Sequence, residues 1–512
     1  MSKKNIFFIY IFLLLLGSLS SFSLPPYNFI FINFITYSLF LYSIILFKEK
    51  KLKIFNFFFL GFTFGYGYFA SSLYWVSHSL TFDRQLTFLI PIAILGLPIL
   101  LSVFYGFAVL VIYSFVKRSY IFLLIFSISL SVFEYLRGIL FTGFSWNLIS
   151  YSWSFSLENI QILKFIGTYT FNFFSILIFS IYFNSFWPVR FKKILINSFF
   201  LFFILISNYL FGKIIIKNTE FIHYNDVKIK IVQPNINIAK TWGIENEKRN
   251  LNLLLSLSKV NKDEKTLIVW PEGMIQQTNP KDLYKYKEYF NKNFSKNHLI
   301  IVGVTNPSIT GNKINFYNSL VVLNNNAEVV SIYNKIKLVP FGEFIPFENL
   351  LTKWGLKKIT FGYSSFSSGN DRKEIKVFNN LSFLPLLCYE IIYSGELKRN
   401  SKDYNFIINI SEDGWFGDSI GPYQHLAQAV FRAVEQGVPI VRSTNTGVSA
   451  FISPNGKIIN SLELNKSGFI DLKLSFLKGK TLFSAFENYI FYFTIFLSII
   501  FVIALRKINK NG

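Results

Sequence analysis

The chain has 512 residues, 52% of them hydrophobic and 19% aromatic, with only 15% charged. Its mean hydropathy of +0.40 excludes an ordinary soluble enzyme and points to a membrane protein. The net charge of +23 would suit a nucleic acid, but many Lys and Arg sit in short loops between apolar stretches and at the chain ends. That placement is a topology signal that also suits an anionic lipid surface, so no nucleic-acid partner is expected.

Eight apolar stretches are long enough to cross a bilayer: 6–22, 28–47, 54–77, 87–116, 119–136, 160–185, 194–212 and 484–505. The first follows Lys3 and Lys4 as a signal peptide would. No small-residue cleavage site follows it and the next stretch begins almost at once, so it reads as a span. Positive charge then recurs in every second loop: Lys48, Lys50, Lys51 and Lys53, Lys117 and Arg118, Arg190, Lys192 and Lys193, and finally Arg506, Lys507 and Lys510. The loops between are poor in it, with Arg84 offset by Asp83. The positive-inside rule then puts both termini in the cytoplasm. After seven spans, residues 218–480 fall on the other side, the periplasm of a bacterium with two membranes. The expected domains are a multispan region, 1–215, a globular block, 218–480, and a final span, 484–505. No internal repeat supports a transporter of paired halves. Glu134 and Arg137, one helical turn apart near the end of a span, precede Gly138 and the 141–147 run. They are either an ion pair that fixes helix packing or a site for a lipid headgroup.

In the globular block, short β-branched and aromatic runs at 227–232, 267–270, 299–304, 320–323, 384–387, 406–410 and 440–442 alternate with polar, helix-compatible stretches such as 422–436. This is a layered α/β pattern with helices covering sheets. The four histidines (His78, His223, His298, His425) are scattered, with no HExxH motif and no Cys/His cluster, so no metal or cofactor is expected.

Three strand ends carry reactive groups. Trp270-Pro271-Glu272-Gly273 places a carboxylate in a turn. The 333–343 run carries Lys335, Lys337 and Glu343. Cys388, the only cysteine, closes the apolar strand before Tyr389 and Glu390. A lone cysteine makes no internal disulfide and is by default a small buried hydrophobe. Beside an ammonium and a carboxylate it acquires another use. The ammonium favours the thiolate and can hold an oxyanion, while the carboxylate can take and return a proton. Together the three make an acyl-transfer site working through a thioester.

WPEG after an apolar strand, YNKIKLVPFGEFIP and LLCYE, in that order, resemble the Glu–Lys–Cys set of the nitrilase (carbon–nitrogen hydrolase) superfamily. Taken with the membrane spans, the whole chain resembles the apolipoprotein N-acyltransferase family. Further matching pieces are Leu73-Tyr74-Trp75-Val76, LRGILFTGFSWN, Val232-Gln233-Pro234-Asn235, and SEDGWFGDSIGPYQH followed by Arg442-Ser443-Thr444-Asn445-Thr446-Gly447. The resemblance implies a polytopic α-helical membrane domain, an α/β nitrilase-like domain built as an αββα sandwich, and a final transmembrane helix. It implies Glu272 as general base and acid, Lys335 as oxyanion stabiliser and Cys388 as nucleophile. Glu343 would support the site, Tyr389 and Glu390 would shape its wall, and Trp242 and Trp415 would sit on loops near the substrate entrance. Lys337 is the rival for Lys335; the motif favours the lysine two residues after the tyrosine.

Two positions depart from the family pattern: Glu412, where asparagine is frequent, and Ser145, where proline is. The implied reaction moves an acyl chain from a membrane phospholipid to the amino-terminal diacylglyceryl-cysteine of apolipoproteins, at the bacterial inner membrane. The apolar segments 344–351 and 354–366 are expected to be arms that dip into lipid. The same triad with water as acceptor would make a membrane-tethered amidase. A transporter carrying a degenerate enzyme block is the other class, and the missing paired halves argue against it.

Overall fold

The computed structural model describes residues 2–185, 189–241, 243–311, 313–346, 365–378, 381–397, 404–477 and 480–511. They fall into two units. One comprises Met1–Ser77, Leu89–Asn218 and Thr481–Gly512, and the other His78–Phe88 and Thr219–Lys480.

The first unit is helical: α1 (Lys3–Ser21), α2 (Phe31–Glu49), α3 (Phe55–Leu73), α4 (Ile90–Val111), α5 (Tyr120–Ile139), α6 (Leu163–Phe179), α7 (Phe191–Lys217) and a final helix, Tyr489–Asn511. Among the described residues, seven helical stretches are long and apolar enough to cross a membrane. The third expected span, 54–77, is helical over Phe55–Leu73 but is not among those seven. Its Gly, Tyr and Ser content lowers its hydropathy, and the reason lies in packing. α3 runs against α1 and α4, and a methyl group on Gly17 or Gly61 would strike the backbone oxygen of Phe64 or Tyr105. Small residues let these backbones touch, which is what drives helix association where water is absent.

Glu134 and Arg137 are 2% and 1% exposed and paired with each other. Tyr105 donates to Glu134 at 2.6 Å, and Arg137 also donates to the Phe144 carbonyl. Of the two readings above, this is the geometry of an ion pair that fixes helix packing.

The second unit stacks two six-stranded sheets. β1 (Phe221–Gln233), β2 (Thr266–Val269), β3 (His298–Thr310), β4 (Lys313–Leu323) and β5 (Val329–Asn334) form the first. β6 (Ile375–Val377), β7 (Leu381–Leu387), β8 (Phe406–Ser411), β9 (Ile440–Thr444), β10 (Ser449–Ile452) and β11 (Ile458–Leu462) form the second. β12 (Gly468–Leu477) returns to pair with β1, so the orders are 12-1-2-3-4-5 and 11-10-9-8-7-6. β1, β2 and β3 are parallel neighbours, as are β7, β8 and β9.

The apolar runs of the sequence follow from burial on both faces of each sheet. Leu267 and Val269 of β2 enter the core between the sheets with Ile301, Phe383, Leu387, Ile408 and Val441. The alternate Ile268, with Trp270, faces a second core under helix α8 (Ile244–Leu257). Helix α9 (Gly421–Gln436) packs on β10 and on the turn after β7. The layering is helix, sheet, sheet, helix.

All seven expected strands are present. β5, β6, β10, β11 and β12 were not expected: β6 has three residues, and β11 and β12 leave many positions exposed, so none carries a sustained apolar run.

Candidate active site

In a parallel sheet the carboxyl ends of the strands open onto loops, and reactive groups collect there. Glu272 follows β2 and Cys388 follows β7, the turn after β8 begins with Glu412, and Lys335 follows β5. The structure brings Glu272, Lys335 and Glu343 together. Lys335 Nζ lies 2.9 Å from Glu343 Oε1 and 3.6 Å from Glu272 Oε1. The lysine is 1% exposed and the two carboxylates are buried. Asn318 on β4, absent from the sequence reading, bridges the acids: its Nδ2 donates to Glu272 Oε1 at 2.7 Å and to Glu343 Oε1 at 2.6 Å. The backbone N–H of Glu412 donates to Glu272 Oε2 at 3.0 Å, and that of Val339 to Glu343 Oε2 at 2.8 Å.

Burial pushes the Glu272 carboxyl above its ordinary range, against the pull of Lys335. Burial opposes the charge on Lys335, but Glu343 and Glu272 overcome it and hold the ammonium protonated. Burial, then the Glu272 charge, push the Cys388 thiol well above the usual thiol range, while Lys335 draws it down. The resting site therefore pairs a neutral thiol with a basic carboxylate and a fixed cation.

Cys388 has φ 47°, a left-handed conformation that is rare and strained outside glycine. Two sets of bonds grip its backbone. In front, Glu390 is fully buried, and its Oε2 accepts from Leu387 N at 2.9 Å. Its Oε1 accepts from Ile336 N at 3.0 Å, Lys337 N at 3.2 Å and Tyr333 Oη at 2.7 Å. One carboxylate thus ties the segment after Lys335 to the residue before Cys388. Burial opposes that charge, but Arg372, at 2.5 Å, holds the carboxyl below its ordinary range. Behind, the Cys388 carbonyl accepts from Asn409 Nδ2 at 3.3 Å and lies 3.2 Å from His425 Nε2.

Tyr389 is buried with its ring 5.3 Å from that of Tyr393. Trp415 is half-buried and meets Phe82 edge-to-face at 5.4 Å. Lys337 lies apart from the triad, half-buried in an ion pair with Glu396 at 2.8 Å. Trp242 lies outside the described residues, as do 347–364, which hold most of the two expected arms. Glu412 is buried: its Oε1 accepts from Gly414 N at 3.0 Å and its Oε2 from Asn445 Nδ2 at 2.6 Å. Burial, with no cation in those bonds, raises its carboxyl to about 8.

Arg372 and Asn318 carried no sequence signal beyond being polar residues in or beside strands. Asp413, His425 and Arg442 lie in pieces that matched the family pattern, but nothing local marked them as partners.

Stacked sheets whose strand ends bear a carboxylate, an ammonium and a thiol define a carbon–nitrogen hydrolase domain, and residues 228–476 match the Carbon-nitrogen hydrolase family. Residues 16–181 match the Apolipoprotein N-acyltransferase N-terminal domain. The chain belongs to the apolipoprotein N-acyltransferase family and is an acyltransferase. It is 34% identical to the apolipoprotein N-acyltransferase of Rickettsia prowazekii over 87% of this chain and 88% of the relative. It is 31% identical to that of Brucella melitensis over 80% and 78%. Among solved structures, an amidase from Nesterenkonia sp. overlies 49% of this chain and 92% of its own at 15% identity, with a TM-score of 0.32.

Proposed function

We propose that the enzyme transfers an acyl chain from a membrane phospholipid to the amino-terminal α-amine of a diacylglyceryl-cysteine apolipoprotein, through a thioester on Cys388. The observation that carries this reading is the buried Lys335 held between Glu272 and Glu343, with both Glu272 and Lys335 acting on the chain's only thiol.

In the first half-reaction Glu272 takes the thiol proton as Sγ attacks the ester carbonyl. The oxyanion forms against Lys335. The C–O bond then breaks and Glu272 returns the proton to the departing glycerol oxygen, releasing a lysophospholipid. In the second, the α-amine attacks the thioester and Glu272 accepts a proton from the nitrogen. The C–S bond breaks and the proton returns to sulfur, leaving an amide and free Cys388. Glu343 keeps Lys335 charged and aimed. Tyr389 walls the site, Glu390 holds its two halves in register, and Trp415 lies on the loop at the substrate entrance.

The membrane helices fit this chemistry because both substrates are lipid-anchored. Drawing an acyl chain into water costs about 0.8 kcal/mol per methylene, which a site at the bilayer surface avoids. In this reading 1–215 and 484–505 are the membrane domain and 218–480 the catalytic domain, periplasmic at a bacterial inner membrane, with both termini cytoplasmic.

The test is intact-mass analysis of the full chain with phospholipid and no acceptor. One acyl chain is expected on the wild type, removable by hydroxylamine and absent in Cys388→Ala. A wild-type protein that turns over yet never carries the adduct would refute the thioester.

A further inference from the structure

Behind Cys388 lies a buried polar cluster that the reaction above does not use. Asn409 on β8, Asp413 just after it, His425 on α9 and Arg442 on β9 are all at most 1% exposed. Arg442 Nη2 donates to Asp413 Oδ2 at 2.6 Å and lies 2.9 Å from His425 Nδ1. Its Nη1 donates to Asn409 Oδ1. Ser411 Oγ donates to Asp413 Oδ1 at 2.6 Å. The cluster ends on one atom, the Cys388 carbonyl oxygen, which His425 and Asn409 both approach.

The proton arrangement follows from the partners. A carbonyl oxygen can only accept, so His425 must carry its proton on Nε2 to bond with it. Arg442 can only donate, so the Nδ1 it faces must present a lone pair. The neutral Nε2–H tautomer meets both demands. Burial and then the adjacent Arg442 charge disfavour the imidazolium, in agreement. Nδ1 also lies 3.0 Å from Asp413 Oδ1, an oxygen that accepts from Ser411 Oγ; in the neutral Nε2–H ring this second contact carries no hydrogen.

We propose that His425 is a positioning residue for acyl transfer, its tautomer set by Arg442 and its Nε2–H pinning the Cys388 carbonyl so that the nucleophile keeps its strained backbone. A left-handed non-glycine residue persists only where its surroundings over-determine it. Cys388 is bound on its amino-terminal side through Leu387 by Glu390, and on its carboxyl side by this pair of donors. Because the peptide is planar, fixing the carbonyl also fixes the Cys388–Tyr389 peptide plane. The inference rests on the reading of Cys388 as the nucleophile.

The test compares His425→Gln with His425→Asn in the full-length protein, using phospholipid and a diacylglyceryl peptide. A glutamine amide reaches the Nε2 position; an asparagine amide reaches only the Nδ1 position, where it still meets Asp413 and Arg442. With equal melting temperatures, the Gln variant should form the acyl adduct within about threefold of the wild-type rate. The Asn variant should be about tenfold slower or more, with KM for phospholipid within about twofold. Equal rates in the two variants would overturn the proposal. Cys388→Ala, run alongside, separates the two ideas: an active Cys388→Ala removes the nucleophile reading itself, whereas an inactive one with equal His425 variants removes only the positioning role.

Discussion

Asn318→Leu probes the least expected member of the site. The substitution keeps the four-atom branched shape of the side chain and removes the Nδ2 group that donates to Glu272 at 2.7 Å and Glu343 at 2.6 Å. Each is a hydrogen bond to a carboxylate, worth about 1.5–3 kcal/mol. The bond to Glu272 lowers a carboxyl that burial has already raised. Glu272 must be ionised to take the thiol proton, so losing the bond disfavours the working form. At ~1.36 kcal/mol per pH unit, the acid limb of the rate profile should move up by about 1–2 units. Below the new limb the rate should fall about tenfold or more, while well above it most of the rate returns. The assay is the rate of acyl-adduct formation on Cys388 across a pH series, with melting temperature measured at each pH. A variant that is uniformly slower, with its acid limb where the wild type has it, would refute the claim that Asn318 tunes the base.

Two further predictions separate neighbours that look alike in sequence. Lys335→Met should lower adduct formation by roughly a hundredfold or more through loss of the oxyanion partner. Lys337→Met, which breaks a half-exposed pair with Glu396 and a contact with the Tyr393 ring, should stay within about threefold and shift stability by less than ~1 kcal/mol; comparable losses in both would sink the assignment. Glu412→Gln tests the buried acid beside Glu272: its carboxyl is raised from 4.5 to about 8 in the fold. The wild type should therefore lose stability as pH climbs through that interval, by an order of a few kcal/mol, and the Gln variant should not. Melting curves that run parallel from acid to alkaline pH would contradict this.

The strand-end positions of Glu272, Lys335 and Cys388 were legible because each ends or follows an apolar run and sits in a motif with a fixed order. The membrane helices were legible because hydrocarbon demands long apolar runs; α3 tested that rule, since its glycines serve backbone contact with α1 and α4. Asn318 was hidden because a polar residue in a half-exposed strand has a default reading as surface. Arg372 looked like a loop charge, and only the fold shows it locked on Glu390. The His425 cluster draws on β8, α9 and β9, and no local pattern announces a contact made by three separate elements.

β1 and β12 carry a consequence of another kind. Phe221 pairs with Leu477 across an antiparallel ladder, so the strand that enters the sheet unit from α7 and the strand that leaves it lie side by side. Paired residues of such a ladder stand about 5 Å apart, a gap that one or two residues can bridge. The segment they enclose thus leaves and rejoins the helical part of the chain at one place, and His78–Phe88 is the other stretch that belongs to the same unit. A short linker could close that gap, but a cut there strands His78–Phe88 from the unit it belongs to, so the two stretches have to be kept or lost together when either part is made alone.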